Sequence, residues 1–239
     1  MKKINNLVLP SVPKEYYDRY VGEGMIGKCY ITSNNDLYKE FIYRRDDYEI
    51  IKSLAETFNS PHLAFPHTFI FLEDDIGKLV GYLRNYIDGE TLDNLSLSTK
   101  MDDFIQALCE FEKDLYQNTM FGLEYRDIHA GNMIYTPNNQ IIAIDTEGYD
   151  ISYEETKSRI IDSLYELYYT ICGEMLKVGY IQDFYVKEII NRSARIGYSD
   201  FLRTSQMLEV LISYLENKNK CKIETYGDLK SKLVLMKRR

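Results

Sequence analysis

The sequence predicts an α+β chain in which a small antiparallel sheet with one helix precedes a mostly helical half. Three observations predict it. Short apolar runs bounded by Gly, Asn and Asp recur through residues 20–86. One helical stripe, Tyr48, Ile51, Leu54, Ala55 and Phe58, interrupts them. Beyond residue 90 the apolar spacing turns helical, broken by a single short hairpin. The 239 residues thus divide into a lead-in at 1–19, a sheet-rich part at 20–86 and a helical part at 87–239.

The elements follow in order. The lead-in holds Pro10 and Pro13 and is read as irregular. Tyr20-Val21, Lys28–Thr32 and Leu37–Tyr43 read as three antiparallel strands, the first turn rich in glycine. Residues 44–58 read as a helix stopped at Asn59-Ser60-Pro61. Strands Thr68–Leu72 and Leu79–Tyr86 flank an acidic turn with Gly77, and Ile87–Glu90 connects onward. A long helix fits 101–118, with Phe104, Leu108, Phe111 and Leu115 on one face. Ile134-Tyr135 and Ile141–Ile144 form a hairpin around Pro137-Asn138-Asn139, and helices fit 154–177, 181–196, 199–217 and 225–237.

Composition excludes several function classes. A net charge of −8 argues against an electrostatic DNA footprint, and the basic tail from Lys230 to Arg239 reads as a solvated helix end. Cys29, Cys109, Cys172 and Cys221 lie far apart without CxxC spacing, which argues against a zinc site or a disulfide framework. No 18-residue apolar run is present, so no membrane span is expected. Residues 1–13 lack a signal-peptide core, and the scattered cysteines make a reducing cytoplasm the expected location. Nothing in the sequence bears on oligomeric state.

The chemistry concentrates in Tyr125-Arg126-Asp127-Ile128-His129-Ala130-Gly131-Asn132 and in Ile144-Asp145-Thr146-Glu147-Gly148. An Asp, an Asn five residues later and a second Asp after an apolar strand are the oxygen donors that phosphoryl transfer needs. One orients the attacking hydroxyl, and two hold Mg²⁺ on the phosphates. Asp145 ends an apolar run, where a carboxylate is costly without a cation, whereas Glu147 is read as exposed. Gly22, Gly24 and Gly27 precede a strand rather than a helix, which fits a hairpin covering nucleotide phosphates. Cys29 then falls where a small side chain rests on adenine. Lys39, in an alternating strand, needs a counter-charge if it points inward. Glu49 is the chosen partner and Glu56 the alternative, a pairing that would hold Lys39 on the α- and β-phosphates.

These segments together resemble the protein-kinase-like superfamily over residues 20–215. Gly22–Tyr30 resembles the glycine-rich loop, Leu37-Tyr38-Lys39 the strand bearing the ATP lysine, and Tyr82–Gly89 the hinge. Tyr125-Arg126-Asp127 is similar to the His-Arg-Asp loop with Tyr in place of His, and Asp145 to the Asp of Asp-Phe-Gly. The resemblance implies a two-lobed protein-kinase-like fold with a shortened helical lobe. It implies ATP and Mg²⁺ as cofactors, adenine contacts at the backbone of Asn85 and Ile87, Asp127 as the catalytic acid-base group, and Asn132 and Asp145 as metal ligands. Asp162 would brace the catalytic loop from below.

The acceptor is less directly written. Asp145 and Asp162 are 17 residues apart, with no long activation segment or Ala-Pro-Glu between them. His129 in Asp-x-His-x-Gly-Asn is similar to the aminoglycoside- and choline-kinase branch, whose acceptor is a small-molecule hydroxyl. The full glycine-rich loop and Arg126 look more like protein kinases, so a Ser/Thr-type protein kinase with a protein substrate is the preferred reading. A pseudokinase, an interaction module that binds nucleotide or is inert, is the reading of another class.

Overall fold

In the computed structural model, residues 3–152, 156–177 and 203–237 are described. The chain is α+β, with a mixed six-stranded sheet, smaller sheets and five α-helices among the described residues. It divides into two units. Met1–Ile87 joins Asp145–Asp150 in the first, and Asp88–Ile144 joins Ile151–Arg239 in the second. The first stretch of the first unit ends at Ile87. The return of 145–150 to the first unit is not visible in linear spacing. It follows from side chains of that segment pairing with the sheet.

In the first unit the strands are β1 (Asn5–Leu9), β2 (Arg19–Glu23), β3 (Gly27–Ile31), β4 (Asp36–Arg45), β5 (Thr68–Leu72) and β6 (Asp75–Asn85). Their spatial order is β1-β5-β6-β4-β3-β2, antiparallel except for β1 beside β5. The expected irregular lead-in is thus corrected, since it supplies an edge strand. Asn5-Asn6-Leu7-Val8-Leu9 alternates weakly, and the flanking prolines mask it. Because side chains alternate along a strand, the register sorts the sheet into two faces. Tyr38, Ile70 and Leu83 form a buried cluster on one, against which Tyr16 and Tyr30 pack. A 3₁₀ turn at Lys14–Tyr17 brings Tyr16 to 5.3 Å from Tyr38 and Tyr17 to 4.8 Å from Tyr30, centroid to centroid. Edge-on packing of such rings adds to their area burial, which gives the tyrosine-rich start of the chain a physical role.

Lys39, Tyr82 and Phe69 lie side by side across β4, β6 and β5. Helix α1 (Tyr48–Thr57) covers part of this face, Tyr48 meeting Phe69 and Phe71 edge-on. It begins later than the predicted 44–58 because β4 runs on to Arg45. Its buried stripe is Ile51, Leu54 and Ala55, with Phe58 just beyond its end.

The second unit is built on α2 (Met101–Met120). Its inward residues Phe104, Leu108, Phe111 and Leu115 are all buried, at the spacing a 3.6-residue period requires. Strands β7 (Glu90–Thr91), β9 (Met133–Tyr135) and β10 (Ile141–Ala143) form a small sheet, with a two-residue strand β8 (Leu123–Glu124) ahead of the loop. Helix α3 (Thr156–Tyr169) continues into a wider π turn at Thr170–Met175. Helices α4 (Thr204–Asn219) and α5 (Tyr226–Lys237) complete the described part. The expected helix at 181–196 lies outside the described residues.

Glu112 ties α2 to α4. Its buried carboxylate accepts the backbone N–H groups of Thr204 and Ser205 and the Ser205 hydroxyl. The side chain thereby caps the start of a helix more than 90 residues away in sequence, meeting donors that no intrahelical carbonyl can satisfy. Burial pushes the Glu112 carboxyl above its usual range, against the downward pull of these donors. Glu112→Ala strands the donors in the interior and is expected to cost on the order of 2 kcal/mol. Urea denaturation checks this, and an unchanged midpoint contradicts the capping role.

Candidate functional site

The predicted residues fall into two groups, one in each unit. In the first unit the hub is Lys39. It occupies β4, between β3 and β6, and only 3% of its surface is exposed. An ammonium there requires partners, because burying an unpaired charge is costly. Lys39 Nζ donates to Asp145 Oδ1 and to Glu147 Oε1. Glu147 Oε2 in turn accepts the Tyr82 hydroxyl at 3.0 Å. Burial opposes the Lys39 charge, but Glu147 and then Asp145 outweigh it and hold the ammonium above the ordinary Lys range. Burial, reinforced by Glu147, pushes the Tyr82 phenol well up.

Two expectations are corrected here. Glu49 is not the partner of Lys39. It sits exposed in the first turn of α1, and the alternative, Glu56, faces the backbone N–H of Ile4 at 3.4 Å. Glu147 is not exposed but buried, and it takes the place assigned to Glu49. The helix stripe turns Ile51, Leu54 and Ala55 inward, which rotates Glu49 away from the sheet.

Asp145 presents its carboxylate from a left-handed backbone, φ 64° and ψ 37°, at the start of a 3₁₀ turn, Thr146–Gly148. That turn buries Thr146 and Glu147 and is closed by Tyr149 N–H on Thr146 O. Residues two apart thus share one lysine, with the Asp145 side chain 37% exposed and that of Glu147 only 1%.

The glycines serve different ends. The hairpin closes with Gly24 N–H on Gly27 O at 2.9 Å. A Cβ on Gly27 would lie 2.5 Å from Glu40 O, so the close approach of β4 demands glycine there. Gly22 and Gly24 have nothing within 4 Å of a built Cβ, and Met25 at the tip is 96% exposed. Cys29 pairs in register with Lys39. Burial pushes its thiol up against the opposing pull of Lys39 and Arg84, leaving a small uncharged side chain. At the end of β6, Arg84 is buried and donates to Asn85 O at 3.1 Å, which occupies one of the backbone groups expected to meet adenine. Ile87, the other, closes the first unit half-buried.

In the second unit Asp127 has φ 59°, and its side chain is 71% exposed. Asn132 Nδ2 donates to both Asp127 O and Asp127 Oδ2 at 3.3 Å. With the amide nitrogen so engaged, the Asn132 carbonyl oxygen is the end left to meet a cation. His129 Nδ1 accepts the Gly131 N–H at 3.1 Å. The neutral ring then carries its proton on Nε2, 3.9 Å from Asp127 Oδ2. Tyr125 is buried, with Asn118 Nδ2 at 3.2 Å from its hydroxyl.

Asp162 does not hold this loop. It is exposed and accepts from Ser158 at 3.4 Å. The holding is done by the π turn that follows α3, where Thr170 Oγ1 donates to Ile128 O at 2.6 Å and Glu174 Oε2 accepts Ala130 N–H at 2.7 Å. A widened turn re-aims side chains that a regular helix would place elsewhere, and such turns are frequent at functional sites. Sequence spacing carries no signal for it.

Six described non-glycine residues have positive φ. Asn35 and Asn139 lie in hairpin turns, and Lys177 and Lys220 follow helical segments. The remaining two are Asp127 and Asp145. Asp145 opens the 3₁₀ turn Thr146–Gly148, and residues held in the left-handed region are found often at functional positions. Among the described residues no three His, Cys, Asp or Glu side chains gather to hold a metal. The expected donors, Asp145 and Asn132, are hard oxygens of the kind Mg²⁺ takes. Mg²⁺ commonly binds one or two protein groups and completes its shell with waters and phosphates.

No protein-family model matches the chain, and no curated protein matches it.

The glycine geometry separates folding from function. Gly27→Ala is expected to destabilise by about 1–3 kcal/mol, the usual range for overpacking against an unyielding neighbour. Gly24→Ala is expected to leave the melting temperature within about 2 °C of wild type. Thermal melts of the two variants check both, and equal destabilisation contradicts the steric assignment.

Proposed function

We propose that the chain is an ATP- and Mg²⁺-dependent phosphotransferase of the protein-kinase-like kind, moving the γ-phosphoryl group of ATP to a hydroxyl. The observation that carries this reading is the contact between the buried Lys39 and the partly exposed Asp145. The residue read as the phosphate lysine and the residue read as the metal acid, 106 positions apart, meet in one unit. The left-handed backbone at both Asp145 and Asp127 supports it.

The roles follow from the chemistry of each side chain. Lys39 binds the α- and β-phosphates through its ammonium. Asp145 and Asn132 each offer a hard oxygen of the kind Mg²⁺ takes, and the ion would neutralise charge on the phosphates. Asp127, exposed and held by Asn132, accepts the hydrogen of the acceptor hydroxyl and aligns its oxygen for in-line attack. The glycine hairpin lays backbone N–H groups over the phosphates, and Cys29 offers a neutral surface to the base.

The acceptor in this reading is a Ser or Thr hydroxyl of a protein, on the strength of the full glycine-rich turn and Arg126. A small-molecule hydroxyl is the second reading. His129 favours it, since its neutral Nε2–H faces Asp127 where protein kinases carry a lysine. Among the described residues no helix is long and apolar enough to cross a membrane. A location in the cytoplasm remains part of the proposal.

Asp127→Asn is expected to lower phosphoryl transfer by about 10²–10⁴-fold, the range for a lost general base, while ATP affinity stays near wild type. Labelled ATP with a cell lysate split into protein and small-molecule fractions reads both transfer and acceptor. Label in the protein fraction agrees with the preferred acceptor, and label only in the small-molecule fraction overturns it. No ATP-dependent transfer by wild type sinks the enzyme reading.

A further inference from the structure

We infer that Glu147 is the positioning residue for Lys39, the fixed carboxylate that holds the lysine in place for the nucleotide phosphates when Asp145 turns to the metal. This rests on the phosphotransferase reading above and goes beyond it. It assigns to the segment after Asp145 a job that Glu49 on the helix was expected to do.

The geometry divides the labour between two acids. Glu147 has both oxygens engaged, Oε1 by Lys39 and Oε2 by the Tyr82 hydroxyl, and its side chain is almost wholly buried. It is anchored by a 3₁₀ turn whose first residue, Thr146, is buried as well. Asp145 touches Lys39 through Oδ1 alone and is one-third exposed. Of the two, Asp145 can leave the lysine and still find solvent or a cation. If it leaves, Lys39 keeps a counter-charge only because Glu147 stays. Neither helix acid replaces it, since Glu49 is exposed and Glu56 faces the Ile4 backbone. Arg45, the other cation felt by Glu147, is committed to Asp47.

A stability role alone does not explain this arrangement. Buried ion pairs are often no more stable than apolar residues of the same volume, because desolvation offsets the attraction. Removing one partner is costly, and removing both is not. The pair is therefore best understood by what the lysine must do.

The test compares full-length variants by calorimetry with Mg-ADP and with adenosine, which lacks phosphates. Glu147→Gln is expected to weaken Mg-ADP binding at least about tenfold, the scale of a lost charge-assisted hydrogen bond. Adenosine affinity is expected to stay within about twofold. Glu147→Asp recovers part of the loss. In a Lys39→Met background, Glu147→Gln adds nothing further, as expected for two residues acting as one unit. Glu49→Gln leaves both ligands unaffected. Should Glu147→Gln fail to fold, Tyr82→Phe and Glu147→Asp carry the test, each weakening ADP and sparing adenosine.

Unchanged ADP affinity in Glu147→Gln overturns the assignment, as does an equal loss for adenosine and ADP or a loss that follows Glu49 instead. The two readings fail separately. Wild type that transfers phosphate while Glu147→Gln binds ADP normally sinks the role of Glu147 alone. Wild type that binds Mg-ADP, with a Glu147-dependent affinity, but transfers nothing sinks the phosphotransferase reading alone.

Discussion

The first unit depends on keeping one ammonium group, that of Lys39, out of water. Removing a charge from solvent costs several kcal/mol even after relaxation, so the fold must surround it with carboxylates and hydrogen bonds. That requirement accounts for features that otherwise look unrelated. The segment 145–150 belongs to the first unit rather than to the unit on either side of it in sequence. Thr146 and Glu147 are buried in a tight turn. Tyr82, a residue with a polar tip in a central strand, points that tip at Glu147. A plain apolar face could have been built from the same sheet more cheaply. In the proposed reading its polarity keeps Lys39 available for the phosphates of a nucleotide.

The second unit solves a different problem, that of holding an exposed acid still. Asp127 cannot rely on burial for order. Its backbone occupies the left-handed region, and Asn132 bonds both its carbonyl and its carboxylate. The loop behind it is pinned at Ile128 and Ala130 by Thr170 and Glu174. Those two come from a π turn, and that turn is covered by residues of its own unit, including Tyr226, whose hydroxyl donates to Met175 O. Packing far from Asp127 therefore fixes where its carboxylate points.

The sequence was legible where one local period decides the outcome. The α2 stripe of Phe104, Leu108, Phe111 and Leu115 follows from helical spacing alone, and the inward Lys39 follows from strand alternation. Legibility ended where partners are distant in the chain. A search for the partner of Lys39 along the next helix selects Glu49, whereas the structure uses Glu147, 108 residues on. The same holds for Glu112 and the start of α4, and for Thr170 and Glu174 replacing Asp162. Strand β1 was hidden for another reason: an edge strand buries little and so needs little alternation. The left-handed backbone at Asp127 and Asp145 was not readable, because aspartate enters that region without any sequence mark.

In the proposed reading the Lys39–Asp145 contact is a resting arrangement that Mg-nucleotide opens. A crystal structure of the full chain with Mg²⁺ and ADP tests it most directly. The expected result is Asp145 Oδ on the metal, Lys39 Nζ on the α- and β-phosphates, and Lys39 still bonded to Glu147. Nucleotide bound with Lys39 and Asp145 still paired, away from both phosphate and metal, would contradict it.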